Sequence, residues 1–279
     1  MRSAPKPVKL GSKRAVGLLF DLWERKGKPM TELTDLAAYC DELLGVAAFQ
    51  DYCPNGIQVE GERPLRRLAS GVTASAALID EAIAWGADAV LVHHGWFWRG
   101  EDPRLVGMKG RRVRALIRAG IGLIAYHLPL DAHQELGNNR QLAEVLGLGE
   151  VRPTGLCDGL LWRGRLPRPT AAGELAGQIA AALGRVPMHI AGRSGPIEQL
   201  AWCTGAAQGY IEQAASLGVD AYLSGEVSEQ TTHQARELGL DYFALGHHAS
   251  ERYGVRALGG HLAGRFGLEH RFIDTDNPA

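Results

Sequence analysis

The order of apolar and polar positions along the chain predicts alternating helices and strands. A helical spacing of apolar residues begins near Thr31, and from about residue 66 short apolar runs alternate with amphipathic segments. The predicted strands are 57–59, 68–72, 89–92 and 121–126, and the predicted helices include 74–84, 111–119, 136–146 and 171–183. Residues 151–170 hold several Pro and Gly residues and are expected to form turns around short strands. Such alternation is typical of an α/β fold with much parallel strand pairing.

The second half of the chain repeats part of this pattern. EAIAWGADAVLV (81–92) resembles EQAASLGVDAYLS (212–224), since each is a helix ending in Gly, followed by x-Asp-Ala and an apolar strand. RAGIGLIAYH (118–127) resembles ELGLDYFALGH (237–247) in the same way. We therefore expect two similar α/β domains from an internal duplication, although ordinary β-α-β units produce the same pattern.

This repeat leads to an expected domain organisation. Residues 30–130 would form the first α/β domain and residues 131–279 the second, with the C-terminal segment a candidate to pack back on the first. Residues 1–29 begin rich in Pro and Lys and are expected to be a disordered or short-helical extension.

Composition excludes several classes of protein. The 279 residues carry a formal net charge of −1, so bulk charge predicts no nucleic-acid footprint. The four cysteines are far apart, which argues against a disulfide framework or a cysteine-based zinc site. There is no long apolar run and no signal-peptide pattern, so we expect a cytoplasmic protein without a membrane partner.

Histidines and carboxylates follow three of the predicted strands. Ligands of open α/β sheets bind at the carboxyl ends of strands, and imidazole with carboxylate suits zinc, manganese or iron. The set exceeds what one tetrahedral ion needs, so it predicts two divalent ions bridged by a carboxylate. The residues are His93 and His94, then His127 with Asp131, then His247 with Glu251.

Alternative interpretations of these residues stay open. Adjacent histidines in extended backbone point to opposite sides, although a tight turn brings both to one site. His127 could be a core histidine bonded to backbone. His248 is expected to face away from the site.

Weaker candidates surround this set. Glu226 follows a strand in the second half, where it would either bond a ligand histidine or cap the next helix. His133 would support the site or move a proton there, or else be a surface or capping residue. Asn138 and Asn139 are expected only to cap a helix. Three aromatic residues follow the histidine pair, and they would either wall a pocket that stacks a flat ring or simply pack in the core: Trp96, Phe97 and Trp98.

Several stretches together resemble one known family, the GTP cyclohydrolase 1 type 2 homologues, or YbgI-like dinuclear-metal proteins. Their number and order make the resemblance specific, and they span about residues 31–279. The stretches are DYCPNGIQVEG, GVTAS, GADAVLVHHGWFWRGEDP, AYHLPLDAHQELGNN, AWCTGAAQGYI, VDAYLSGEVSEQTTH, ALGHHASERYG and FIDTDNPA.

The resemblance implies two similar α/β domains with a dimetal site between them, in a toroidal homohexamer built as a trimer of dimers. The ligands it implies are His93, His94, Asp131, His247 and Glu251. His127 then becomes a neighbour with a supporting or proton-transfer role. The P-L between His127 and Asp131 favours a loop rather than a helix.

Three functions follow from these interpretations. The favoured one is a dinuclear-metal hydrolase, in which a metal-bridging water attacks a small nucleotide-like, phosphorylated or cyclic amide substrate. The family label suggests GTP, but the chain has no Gly-rich anion loop to hold a triphosphate. The alternatives are a ring associated with nucleic acid in DNA repair, for which the basic residues 104–118 are the support, and a metal storage or delivery protein.

Overall fold

Two β-sheets with helices packed on their faces form the framework of the protein. The computed structural model describes residues 31–279, so the predicted extension at 1–29 lies outside the described residues. The α/β fold class is confirmed, whereas the internal duplication stays a prediction. Within the described residues, no helix is long and apolar enough to cross a membrane.

The first sheet has five strands in the order β1-β4-β3-β2-β11. Strands β2, β3, β4 and β11 run parallel, and β1 pairs antiparallel with β4 at one edge. The strands are β1 (Gly56–Val59), β2 (Arg67–Thr73), β3 (Ala89–His94), β4 (Gly122–Ala125) and β11 (Glu269–Phe272). The helices around this sheet are α1 (Leu33–Leu43), α2 (Ala76–Trp85), α3 (Gly107–Ala119) and α4 (Leu128–Ala132).

The second sheet has six strands in the order β5-β6-β8-β9-β10-β7. Its central strands β8, β9 and β10 run parallel, and the outer pairs are antiparallel. The strands are β5 (Gly149–Pro153), β6 (Trp162–Thr170), β7 (Met188–Ile190), β8 (Ile197–Cys203), β9 (Ala221–Ser224) and β10 (Asp241–Ala244). The helices are α5 (Asn138–Val145), α6 (Ala172–Leu183), α7 (Ile211–Ser216), α8 (Glu229–Leu238) and α9 (His247–Phe266).

Apolar strands occur here because both faces of each sheet are covered. Ala89 to Val92 of β3 are fully buried, with Leu91 in the core on one face and Val90 in the core on the other.

Capping fixes where the flanking helix α2 begins and ends. The Ser75 side chain accepts a hydrogen bond from the Leu78 amide, and Gly86 closes the helix in the left-handed conformation.

The long helix α9 connects the two sheets. It begins just after β10 of the second sheet, yet Val255, Leu258 and Leu262 lie in the core of the first sheet. The chain then adds β11 to that sheet, parallel to β2. The carboxyl end of β10 and the start of α9 are thereby held against the first sheet.

Two local predictions differ from the structure. Residues 128–132 form the short helix α4, not a loop, because Pro129 lies in the first turn, where a missing amide donor costs nothing. Residues 162–170 form one nine-residue strand rather than short strands between turns. Its pairing with β8 shifts register between Arg165 and Thr170, which explains why its Pro and Gly residues suggested turns.

Candidate metal centre

His93 and His94 end strand β3 and both take part in one cluster. Their ring centroids are 4.6 Å apart. The rings bond to neighbours on opposite sides of β3, since His93 Nδ1 donates to the Tyr126 carbonyl at 2.9 Å and His94 Nδ1 lies 3.3 Å from Thr73 Oγ1. The other ring nitrogens nevertheless turn toward the same carboxylate, Glu251. Adjacent positions in a strand therefore do not separate these two side chains.

The second half of the cluster lies in the first turn and a half of α9. His247 and Glu251 are four residues apart on a helix and hence on one face, and His247 Nε2 lies 3.1 Å from Glu251 Oε2. Asp131 reaches the cluster from α4, with its Oδ1 3.4 Å from His93 Nε2. The site thus combines ligand-type side chains from strand β3 and from two helices.

The cluster divides into two groups that share Glu251. One consists of His94, His247 and Glu251, the other of His93, Asp131 and Glu251, and in each the candidate ligand atoms lie within 4.8 Å of one another. The two oxygens of Glu251 face different groups: Oε1 is 3.6 Å from His93 Nε2, and Oε2 is 3.2 Å from His94 Nε2. Each oxygen of Glu251 therefore faces a different group of candidate ligand atoms.

The Nδ1 atoms of the histidines are engaged elsewhere, which leaves Nε2 for the cluster. His247 Nδ1 donates to Glu226 Oε1 at 2.7 Å, and His127 Nδ1 donates to Asp51 Oδ1 at 2.7 Å. Histidines that bind metals usually make such a bond through the other nitrogen, because it fixes ring orientation and tautomer.

The electrostatics of the cluster fit cations. Burial alone would lower the pKa of His93, but Asp131 and Glu251 outweigh it and raise the pKa to about 9. For His247, burial is likewise outweighed by Glu251 and Glu226, and the pKa rises to about 9. Burial lowers the pKa of His94 to about 3. Without metal the buried carboxylates thus hold protons on neighbouring imidazoles, and divalent ions would replace those protons.

The charge and burial of the Glu251 carboxylate indicate whether this cluster suits a metal ion. Burial would raise the pKa of this carboxyl, but His94 and His93 outweigh it and hold the pKa well below its usual value. Its Oε2 atom is buried and forms no well-aligned hydrogen bond within residues 31–279, although His247 Nε2 and His94 Nε2 lie 3.1 and 3.2 Å away. A buried carboxylate oxygen that faces imidazole nitrogens without well-aligned hydrogen bonds is costly unless a cation lies between them. A side chain at Gly205 would overlap Glu251 Oε1, so glycine keeps this position clear.

His127 lies beside the shared cluster. Its ring centroid is 5.0 Å from that of His93 and 5.6 Å from that of His94. Asp51 is buried, which would raise its pKa, but hydrogen bonds led by that from His127 lower the pKa to about 2. A permanently charged Asp51 therefore orients the His127 ring, an arrangement suited to proton transfer.

A cavity of about 550 Å³ opens onto the cluster. His94, His127, Asp131, His247 and Glu251 form its floor, and Tyr52, Trp98 and Tyr210 are aromatic residues of its walls. The Trp98 ring packs edge-on against His127 at 5.0 Å between centroids. Among residues 31–279, no Lys or Arg lines this cavity.

Of the weaker candidates from the sequence, some contact the histidine–carboxylate cluster and others do not. Glu226 contacts His247 and does not cap α8, since Ser228 caps that helix through a capping box. His133 Nδ1 accepts hydrogen bonds from the Glu135 and Leu136 amides, so its side chain holds a turn. His248 bonds Asp274 at 3.0 Å and faces away from the cluster, as expected.

Sequence reasoning missed Asp51, Asn138 and Thr204 as residues that contact side chains of the site. Asp51 is 76 positions away from His127 along the chain, and Thr204 Oγ1 lies 3.4 Å from Asp131 Oδ1 across 73 positions. Asn138 and Asn139 were expected only to cap α5, but Gly137 is the N-cap and no side chain caps that helix. Both asparagines are fully buried. No local sequence pattern indicates contacts over such separations.

Fold and site together define an α/β protein of two mixed sheets, with a buried histidine–carboxylate cluster where the carboxyl ends of their parallel strands meet. Residues 31–278 match the model of the Duf34/NIF3 (NGG1p interacting factor 3) family. The chain belongs to this family.

Individual relatives agree with this assignment. A protein of Allochromatium vinosum named GTP cyclohydrolase 1 type 2 homolog is 63% identical over 250 residues, 90% of this chain and 98% of its own. The solved structure of protein ybgI, described as of unknown function, superimposes with a TM-score of 0.85 at 49% identity, covering 89% of this chain and 100% of that one. The crystal structure of TTHA1606 from Thermus thermophilus gives a TM-score of 0.81 at 35% identity, covering 89% of this chain and 100% of that one.

Proposed function

We propose that this protein binds two divalent metal ions and uses them to hydrolyse a small substrate. One observation carries the proposal, namely that two groups of ligand-type side chains share Glu251, one through each carboxylate oxygen. His93 and Asp131 would complete one site, and His94 and His247 the other. Zinc, iron and manganese all suit these ligands, and availability in the cell would decide among them.

The bound ions would supply an activated water and neutralise charge on the attacked group. The protein's own residues orient and protect this chemistry. Glu226 and the Tyr126 carbonyl hold two ligand imidazoles with Nε2 toward the cluster. His127 is hydrogen-bonded to Asp51 and lines the cavity, and it would pass a proton to or from a substrate there.

The cavity favours a small, partly aromatic substrate, such as a nucleotide-like, phosphorylated or cyclic amide compound. Its volume of about 550 Å³ lies in the range of small-molecule sites, and Tyr52 and Trp98 offer ring faces or edges for packing. Relatives are named GTP cyclohydrolase 1 type 2 homolog. A triphosphate would need cationic partners, and residues 31–279 offer none in the lining. We therefore rank GTP below smaller or less charged substrates.

Metal analysis of the purified protein tests the proposal. Protein prepared without added metal, then loaded and desalted, is expected to hold close to two ions per chain by elemental analysis. Glu251→Gln removes the shared charge at both sites and should lose most of both ions. Screening nucleotides and phosphoesters for hydrolysis then tests turnover, and stable metal binding without turnover would favour storage or delivery.

A matched control is available on α8. Glu229 and His233 also form a carboxylate–imidazole pair four residues apart on a helix, but both side chains are exposed. Glu229→Gln should keep the full metal content. Unchanged stoichiometry in Glu251→Gln, or equal loss in both variants, would contradict the dinuclear centre.

A further inference from the structure

Two adjacent asparagines, Asn138 and Asn139, lie fully buried at the start of α5, between the halves of the cluster. A fully buried amide is retained only where its donors and acceptors are satisfied. Neither side chain caps the helix. Their hydrogen bonds therefore go to other parts of the fold, and those of Asn138 reach the cluster.

Asn138 links a candidate ligand to helix α9 with the two ends of one amide. Its Nδ2 donates to Asp131 Oδ1 at 2.8 Å and lies 3.4 Å from His93 Nε2, and its Oδ1 accepts from the Gly254 amide of α9 at 2.9 Å. The Gly254 contact fixes the orientation of the amide, because a backbone N–H only donates and so must face the Asn138 oxygen. Asn138 thus joins Asp131 to the helix that carries Glu251.

Helix α9 has a glycine, Gly254, where the Asn138 side chain approaches it. A side chain at Gly254 would overlap Oδ1 of Asn138 and lie 2.8 Å from its backbone nitrogen, so only glycine allows this approach. Gly260 of the same helix has open space around its Cβ position. Gly260 therefore offers a position on the same helix where an added methyl group meets no neighbour.

Asn139 makes a different set of bonds. Its Nδ2 donates to the carbonyls of Asp131 and Leu160, both at 3.2 Å, and its Oδ1 accepts from the Thr204 amide at 3.0 Å. All these partners are backbone groups. Asn139 therefore links the main chain at Asp131 to the main chain at Leu160 and Thr204, and it contacts no candidate-ligand side chain.

We propose that Asn138 is a positioning residue for the metal centre, which sets the distance and orientation of the Asp131 carboxylate relative to Glu251. The inference rests on the proposed metal function. Asp131 belongs to only one of the two groups, the one with His93 and Glu251. Loss of Asn138 should therefore weaken metal binding chiefly at that site.

The experiment measures Zn²⁺ affinity at both sites by competition with a chelator, and Co²⁺ absorption spectra as a report on ligand geometry. Asn138→Leu removes both hydrogen bonds at similar volume. We expect one of the two sites to bind Zn²⁺ about 10- to 100-fold more weakly, which is the usual effect of removing a group that orients a metal ligand. The Co²⁺ absorption spectrum of that site should also change. Asn139→Leu is the matched control, expected to lower stability while both affinities stay unchanged.

A second pair of variants leaves both asparagines in place. Gly254→Ala forces Asn138 to shift and should weaken the same site as Asn138→Leu, whereas Gly260→Ala on the same helix should not. This pair keeps the proposal testable if Asn138→Leu fails to fold.

The outcomes separate the inference from the proposed function. Wild-type affinity in Asn138→Leu and Gly254→Ala, or equal weakening in Asn139→Leu, would overturn the positioning role while the metal centre stands. An unmutated protein that binds neither Zn²⁺ nor Co²⁺ would overturn the proposed function, and the positioning role with it.

Discussion

At the scale of single residues, the candidate ligands depend on partners that are distant in sequence. Glu226 is 21 positions from His247, and the Tyr126 carbonyl is 33 positions from His93. Each such partner takes one ring nitrogen and so directs the other toward the cluster. The residue types of the ligands were evident from the sequence, but their orientation comes from these contacts.

Glu226→Gln tests this orientation. The glutamine keeps the size of the side chain and removes its charge, so His247 loses a charged acceptor and we expect about 10- to 100-fold weaker metal binding. The affinity for Zn²⁺ is measured by chelator competition. The control is Asp241→Asn at the His189–Asp241 pair, which is 3.1 Å apart on the second sheet. If Glu226→Gln binds Zn²⁺ as tightly as the control Asp241→Asn, Glu226 does not orient His247 for metal binding.

At the scale of elements, strand ends and helix starts meet at the cluster because parallel strands point their carboxyl ends the same way. Alternating helix and strand patterns predicted most of these elements within a few residues, including β2, β3 and α6. The failure at α4 has a local cause, since a proline inside the first helical turn resembles a loop signal. That short helix carries Asp131, so the error concerned the backbone of a site residue.

The turn after β8 gives an element-scale prediction. Gly205 has a φ of +70°, and a Cβ there would overlap Glu251 Oε1. Gly205→Ala should therefore destabilise the fold by about 1–3 kcal/mol and reduce metal content. Gly209, in the following turn, has open space around its Cβ position, so Gly209→Ala is the control. Denaturant unfolding and elemental analysis check both, and wild-type metal content in Gly205→Ala would contradict the close fit.

At the scale of the whole molecule, candidate ligands from elements around both sheets would link metal binding to the overall structure. His93 and Asp131 lie on β3 and α4 beside the first sheet, while His247 and Glu251 follow the second sheet and lie on a helix that packs into the core of the first. Ions bound there would stabilise the folded protein, because the unfolded chain offers no assembled site.

Metal removal tests this linkage. A chelator should lower the unfolding temperature of metal-loaded wild-type protein. The same treatment should leave Glu251→Gln unchanged, because that variant has little metal to lose. Thermal unfolding monitored by circular dichroism measures both, and an equal shift in the two proteins would show that the chelator acts elsewhere.

The assembly predicted from the family resemblance is a separate whole-molecule test. Six chains of 30.1 kDa give a hexamer of about 180 kDa. Light scattering coupled to size-exclusion chromatography measures this mass directly. A monomer at all concentrations would contradict the ring, and binding of a DNA duplex that weakens steeply with salt would favour the nucleic-acid hypothesis.

The sequence by itself determined the fold class, most of the elements and the residue types of the candidate ligands. These depend on local periodicity, on caps, and on histidines and carboxylates placed just after apolar strands. Only the tertiary structure decided that Glu251 faces both groups, that Asp51 and Glu226 orient imidazoles, and that Asn138 joins Asp131 to α9. The reason is physical: most of these contacts join residues tens of positions apart, and the partners become neighbours only when the strands pair and α9 packs on the first sheet.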